Sequence, residues 1–236
     1  MAHGTTPFLL IPGLLCTSEL YAPQLPFLWR YGPVMVANHT QADSVQAIAK
    51  QILDAAPSKF VLMGLSMGGY LALEIMRQAP ERVLRLALMD TSARPDTAEG
   101  KAGRQEKVKK ARNGEFDKVV SDLLPAMLLP EHLKNEQLVQ TSKRMAQVVG
   151  IEGFARQQQA IMDRPDSRPG LSRIQCPTLV LVGREDKLIP LEHSKEMADQ
   201  IKGAQLVTIP ECGHIATLEQ PEKVNKALEQ WLQQAF

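Results

Sequence analysis

Short apolar runs alternate with stretches in which apolar residues recur every three to four positions, and this alternation organises most of the chain. The runs at 8–11, 34–37, 60–64, 84–89, 178–182 and 205–209 are rich in Val, Ile, Leu and Phe and too short for helices, so they read as buried strands. Between 44 and 56, Val45, Ile48, Ala49, Ile52 and Leu53 share one helical face; 67–78, 191–201 and 221–234 read as further covering helices. Strand and helix in turn predict an α/β fold: a mostly parallel sheet of about six strands with helices on both faces.

The alternation stops after Asp90. From 94 to 173 no strand pattern is present, and helical patterns break at Asn113-Gly114, Pro125, Pro130, Gly150 and 165–170. The expected division is therefore a core made of 1–93 and 174–236, interrupted by a helical insertion at 94–173. Leu123, Leu124, Met127, Leu128, Met145 and Phe154 belong to the apolar side of that insertion, most to pack on the core and a few to line a pocket.

At 236 residues the chain suits one domain with an insertion. Its 27 Lys+Arg and 26 Asp+Glu leave a net charge of +1, which gives no electrostatic case for nucleic acid or an anionic membrane. The insertion alone holds 15 Lys+Arg against 11 Asp+Glu, a mild positive balance that allows an acidic partner. The first fifteen residues have no basic leader, and Pro12 and Gly13 break their apolar run, so neither a secretory signal nor a membrane span is expected and the cytoplasm is the expected location. Cys16, Cys176 and Cys212 are odd in number and far apart, fitting free thiols rather than a disulfide framework or a zinc site.

The chemistry starts at Gly64-Leu65-Ser66-Met67-Gly68, which joins the apolar run 60–64 to a helical pattern. A serine hydroxyl is a poor nucleophile; a tight strand-to-helix turn exposes it at a helix N-terminus, where amides can stabilise an oxyanion. Ser66 then needs a base. Among the five histidines, His214 lies just past the last predicted strand; His3 is in the terminal tail, His39 follows the second strand, and His132 and His193 fall in or beside helices. The base needs a carboxylate to orient it. Asp186, after the fifth strand and before a helix, gives the chain order Ser, Asp, His; Glu185 beside it and Asp90 at the end of the fourth strand are the alternatives. For the oxyanion hole, the Met67 N–H is one donor, and the turn Pro12-Gly13-Leu14-Leu15 supplies the other through Leu14, although the chain lacks a His-Gly-Gly-Gly loop.

Pro12-Gly13 after the first strand, the turn 64–68 with Gly69, Gly183-x-x-Asp186, and Gly213-His214 followed by Glu219 and Pro221 together resemble the α/β-hydrolase superfamily. The likeness is to its lid-bearing group of small bacterial carboxylesterases, enol-lactone hydrolases and the pimeloyl carrier-protein methyl ester esterase. That resemblance implies a lid at 94–173 and a serine hydrolase cleaving esters of short to medium apolar acyl groups, with no metal or organic cofactor. Leu15, Met127, Leu128 and Ile215 are the candidate acyl-contacting residues, and a small-molecule ester is the expected partner, with an acidic acyl carrier as a second partner class. A monomer or homodimer is expected. The same triad supports thioester, enol-lactone, perhydrolase and lyase chemistry, and a non-catalytic small-molecule receptor is the reading from another class.

Overall fold

The computed structural model describes residues 5–234. Six strands, β1 (Phe8–Ile11), β2 (Val34–Val36), β3 (Phe60–Leu65), β4 (Val83–Met89), β5 (Thr178–Gly183) and β6 (Gln205–Ile209), form one sheet in the order β2-β1-β3-β4-β5-β6. Every neighbouring pair is parallel. Each strand matches a predicted run to within one residue at either end. His3 lies outside the described residues.

The helices are α1 (Leu25–Leu28), α2 (Val45–Ala55), α3 (Met67–Gln78), α4 (Ala98–Lys110), α5 (Phe116–Met127), α6 (Glu136–Met162), α7 (Leu191–Gln200), α8 (Ala216–Glu219) and α9 (Pro221–Leu232). Ser44 starts α2 as its cap, its hydroxyl accepting the Ala47 N–H at 3.3 Å. Successive strand residues face opposite ways, so Leu9, Ile11, Leu62 and Leu88 pack beneath α2, α3 and α7, whereas Phe8, Leu10, Met63 and Met89 pack with α1 and α9. Both faces are covered, which is why the strands read as continuous apolar runs.

Arg85 is the exception inside β4. It is fully buried, and its guanidinium donates to the Trp231 and Gln234 carbonyls at 3.1 and 2.5 Å, at the C-terminal end of α9. A cation there meets carbonyls that the helix itself leaves unpaired and the negative end of its dipole.

Between β4 and β5 the described residues contain helices and no strand. Gly114, with φ +91°, separates α4 from α5, and Gly150, with φ +69°, bends α6 into two halves. The expected break at Pro125 is not found: this proline lies inside α5, whose C-cap Leu128 turns extended at ψ 149°. Pro125 occupies the last turn, where the ring removes one hydrogen bond and little helix remains to be kinked. Phe116, Val119, Val120, Ala146 and Phe154 form a small core of this segment's own, joined by Leu15 from the loop after β1.

Strand order reverses between β1 and β3, since the chain leaves β1 toward one edge and returns to build the rest of the sheet on the other side. In such sheets the crevice at the carboxyl ends of those two strands is where a ligand fits.

Replacing Arg85 by Met should lower stability by about 1–3 kcal/mol, because buried carbonyls at the end of α9 lose their donor. Urea unfolding of both proteins, with hydrogen exchange of α9 amides, checks this; an unchanged midpoint would contradict it.

Candidate active site

Ser66 sits where β3 becomes α3, with φ +55° and ψ −116°, a backbone conformation costly for a residue with a side chain. Its neighbours hold it there. The Ser66 N–H donates to Met89 at 2.9 Å, and its carbonyl accepts the Thr91 hydroxyl at 2.7 Å and the Gly69 N–H at 2.9 Å. The turn closes because two glycines lack a Cβ: one on Gly64 would lie 2.3 Å from the Gly68 oxygen, and one on Gly68 would lie 1.9 Å from the Ile11 oxygen.

From half-buried Ser66 a chain of short hydrogen bonds leads inward. The Ser66 hydroxyl is 2.8 Å from His214 Nε2, and His214 Nδ1 is 2.7 Å from Asp186 Oδ2. Histidine and aspartate are both buried. The second carboxylate oxygen of Asp186 accepts the Leu188 and Ile189 amides at 2.8 and 3.0 Å, which fixes the direction of the first. This order of donors and acceptors lets an imidazole take the serine proton while a carboxylate stabilises the charge it gains.

The two alternative carboxylates hold loops instead. Glu185 accepts the Cys212 N–H at 2.9 Å, clamping the turn before His214. Asp90 is fully buried and accepts the Gly183 N–H at 2.7 Å. Burial, and after it the nearby Asp186, push its carboxyl well above the usual carboxylate range.

At the oxyanion candidates, Met67 is the first residue of α3, so its N–H has no partner within the helix. Gly13 faces Ser66 closely, 3.4 Å separating a Cβ built on it from the Ser66 Cβ. Leu15 has φ +60°, and its N–H is taken by Gln157 Oε1 at 3.1 Å, while the Gly13 and Leu14 amides of this turn have no partner among the described residues. His39, buried beside the turn, has its Nε2 3.0 Å from the Gly13 oxygen. Sequence reasoning gave neither His39 nor Gln157 a role; both contacts run from a side chain to distant backbone and leave no periodic trace.

The helical segment is tied to the histidine loop. The His214 N–H donates to the Met127 carbonyl at 2.8 Å, and buried Glu219 accepts the Leu129 N–H at 3.0 Å and contacts His132 Nδ1 at 2.7 Å. Against the turn after β1, this segment leaves an apolar cavity of about 10 Å³, enough for roughly one water. Leu14, Leu15 and Met127 line it, with Val120, Leu124 and Met145 among the others. Leu128 and Ile215 are buried in the core below and do not line it. A groove of about 500 Å³ on the outer side, lined by Lys109, Arg112 and Arg156, contains none of Ser66, Asp186 and His214.

Tyr21 is buried with its hydroxyl on the Ile11 carbonyl at 2.9 Å, Trp29 is exposed, and all three cysteines are free. Among the described residues no cluster of three or more His, Cys, Asp and Glu could hold a metal ion, and no helix is long and apolar enough to cross a membrane.

Burial lowers His39 from 6.5 to about 4. The unfolded chain binds this proton near 6.5 and the folded chain only near 4, so stability is intact above about pH 6.5 and falls by about 3 kcal/mol as pH drops toward 4. Denaturant midpoints across that window should decline, and His39→Gln should flatten the decline; parallel curves would contradict the assignment.

A model of the alpha/beta hydrolase family matches residues 1–227. The malate-bound thermophilic esterase of Thermogutta terrifontis superposes with a TM-score of 0.87 at 30% identity, covering 97% of this chain and 90% of that one. The enol-lactonase of Burkholderia xenovorans LB400 gives 0.88 at 23% identity, covering 98% and 93%, a likeness of fold. The 2-hydroxymuconate semialdehyde hydrolase of Pseudomonas putida is 29% identical over 187 residues, spanning 74% of this chain and 62% of that protein. Family match, parallel sheet and strand-to-helix serine turn agree: the chain belongs to the alpha/beta hydrolase family.

Proposed function

We propose that the protein is a serine hydrolase that cleaves carboxylic esters of short to medium apolar acyl groups through an acyl-enzyme. The observation that carries this reading is the hydrogen-bonded series Ser66, His214, Asp186, with separations of 2.8 and 2.7 Å. Similarity to a solved esterase at 30% identity supports it.

In the proposed reaction His214 Nε2 removes the Ser66 proton as Oγ attacks the acyl carbon. Asp186 holds the imidazole in the tautomer with the proton on Nδ1 and stabilises the imidazolium. The N–H groups of Met67 and Leu14 receive the carbonyl oxygen as it gains negative charge. Collapse of the tetrahedral species expels the alcohol, which takes its proton from His214; a water, deprotonated by the same nitrogen, then releases the acid and restores Ser66.

Substrate size follows from the segment 94–173, which we read as a lid. Its cavity at the turn after β1 is apolar and nearly filled, so an acyl chain must displace side chains or shift the lid, at a cost that rises with chain length.

Initial rates on p-nitrophenyl esters of increasing acyl length, with matching thioesters in parallel, test the reading. Wild type should show an optimum at short to medium length; equal rates on acetyl and palmitoyl esters would contradict the pocket assignment. Ser66→Ala should lose at least about 10³-fold in kcat, and Asp186→Asn about 10⁴-fold. Asp90→Asn should stay within about tenfold of wild type, since Asp90 accepts the Gly183 N–H and it is Asp186 that contacts His214, and an amide oxygen keeps the Gly183 bond. Ser66-independent turnover would overturn the mechanism.

Met127→Ala removes side-chain volume from the cavity while keeping the carbonyl that binds the His214 N–H. Its chain-length optimum should move to longer acyl groups; an unmoved optimum would place the acyl group elsewhere.

A further inference from the structure

Two buried polar side chains take no part in the acyl transfer just described, yet both contact the turn that carries Leu14. His39, 2% exposed, comes from the loop after β2; Gln157, fully buried, comes from the second half of α6. Burying such groups is costly unless they are bonded. Their partners are backbone atoms on either side of one residue. His39 Nε2 is 3.0 Å from the Gly13 oxygen, and Gln157 Oε1 accepts the Leu15 N–H at 3.1 Å.

The Gly13 carbonyl and the Leu14 N–H belong to the same peptide unit. A trans peptide is planar, with its C=O and N–H on opposite edges, so holding the oxygen on one side aims the hydrogen to the other. In the tautomer with the proton on Nε2, donation to that oxygen also polarises the unit and strengthens its N–H as a donor. The next unit is gripped at both edges: Gln157 takes the Leu15 N–H, and the Cys16 thiol donates to the Leu14 carbonyl at 3.4 Å. Rotation of either peptide plane would break one of these contacts.

The two side chains also touch each other, His39 Nε2 lying 3.0 Å from Gln157 Nε2. A neutral imidazole nitrogen either donates or accepts. Protonated, Nε2 donates to the Gly13 oxygen; unprotonated, it accepts from the Gln157 amide. The turn therefore depends on a pair in which core and helical segment share one nitrogen.

We infer that His39 and Gln157 are positioning residues that orient the Leu14 N–H toward the oxyanion, with Gln157 making that orientation depend on the seating of α6. The inference rests on the ester-hydrolase reading above.

The test uses p-nitrophenyl butyrate and butylboronic acid, which adds reversibly to a serine hydroxyl as a tetrahedral anion. In His39→Leu and Gln157→Leu, kcat should fall about 10- to 100-fold with KM within about threefold, and boronate inhibition should weaken by a similar factor. His39→Gln, which keeps an N–H donor, should recover most of the loss. Folded variants with unchanged kcat, a loss expressed in KM alone, or a His39→Gln no better than His39→Leu would each overturn the inference. If His39→Leu fails to fold, Gln157→Leu beside Gln157→Met decides by the same kcat and boronate ratios. A wild type that neither turns over the ester nor binds boronate overturns the hydrolase reading and this inference together, whereas Ser66-dependent turnover with indifferent variants overturns this inference alone.

Discussion

A hydrogen in place of a methyl group at Gly68 lets the first turn of α3 lie against the Ile11 and Pro12 carbonyls, closer than any side chain would permit. That approach brings the start of α3 beside the turn after β1, at the point where the strand order reverses. Ser66 is left between a helix N-terminus and the Gly13 turn, in a backbone conformation that its bonds to Met89 and Thr91 must enforce. A looser contact would separate the start of α3 from the Gly13 turn.

Strain gathers at the same end of the sheet. The four non-glycine residues with positive φ among those described are Leu15, Ser66, Asp90 and Glu211, and each follows the carboxyl end of a strand. Each conformation costs on the order of 1–3 kcal/mol unless its surroundings hold it. The sheet supplies that support: rigid strands buried on both faces fix where each loop begins, and Asp90, Glu185 and Gly183 tie the loops to one another. Rigidity below permits irregularity above.

Much of this is legible in the sequence alone. The strands were visible as short β-rich runs because burial on both faces erases polar alternation, and Gly114 and Gly150 marked real breaks because they adopt positive φ. Pro125 misled because a proline in a final turn looks, in sequence, like one in a helix centre. Ser66, Asp186 and His214 could be selected by position after strands, without knowing that they meet. Glu219 was visible as part of a motif, but its hold on Leu129 and His132 was not. Contacts such as Gln157 to Leu15, 142 positions apart, depend on how helices seat on a core, and no local pattern encodes that.

The bond from the His214 amide to the Met127 carbonyl, together with Glu219 on Leu129, bears on modularity. Segments inserted between strands look like interchangeable parts, since the sheet is built from strands outside them. Here the part and its socket are stitched together at the histidine. A chimera that exchanged residues 94–173 for those of a relative would carry over the helices but leave one half of the stitch behind. The transferable unit is two pieces, the helical segment and the 211–219 loop, distant in sequence and joined in the fold.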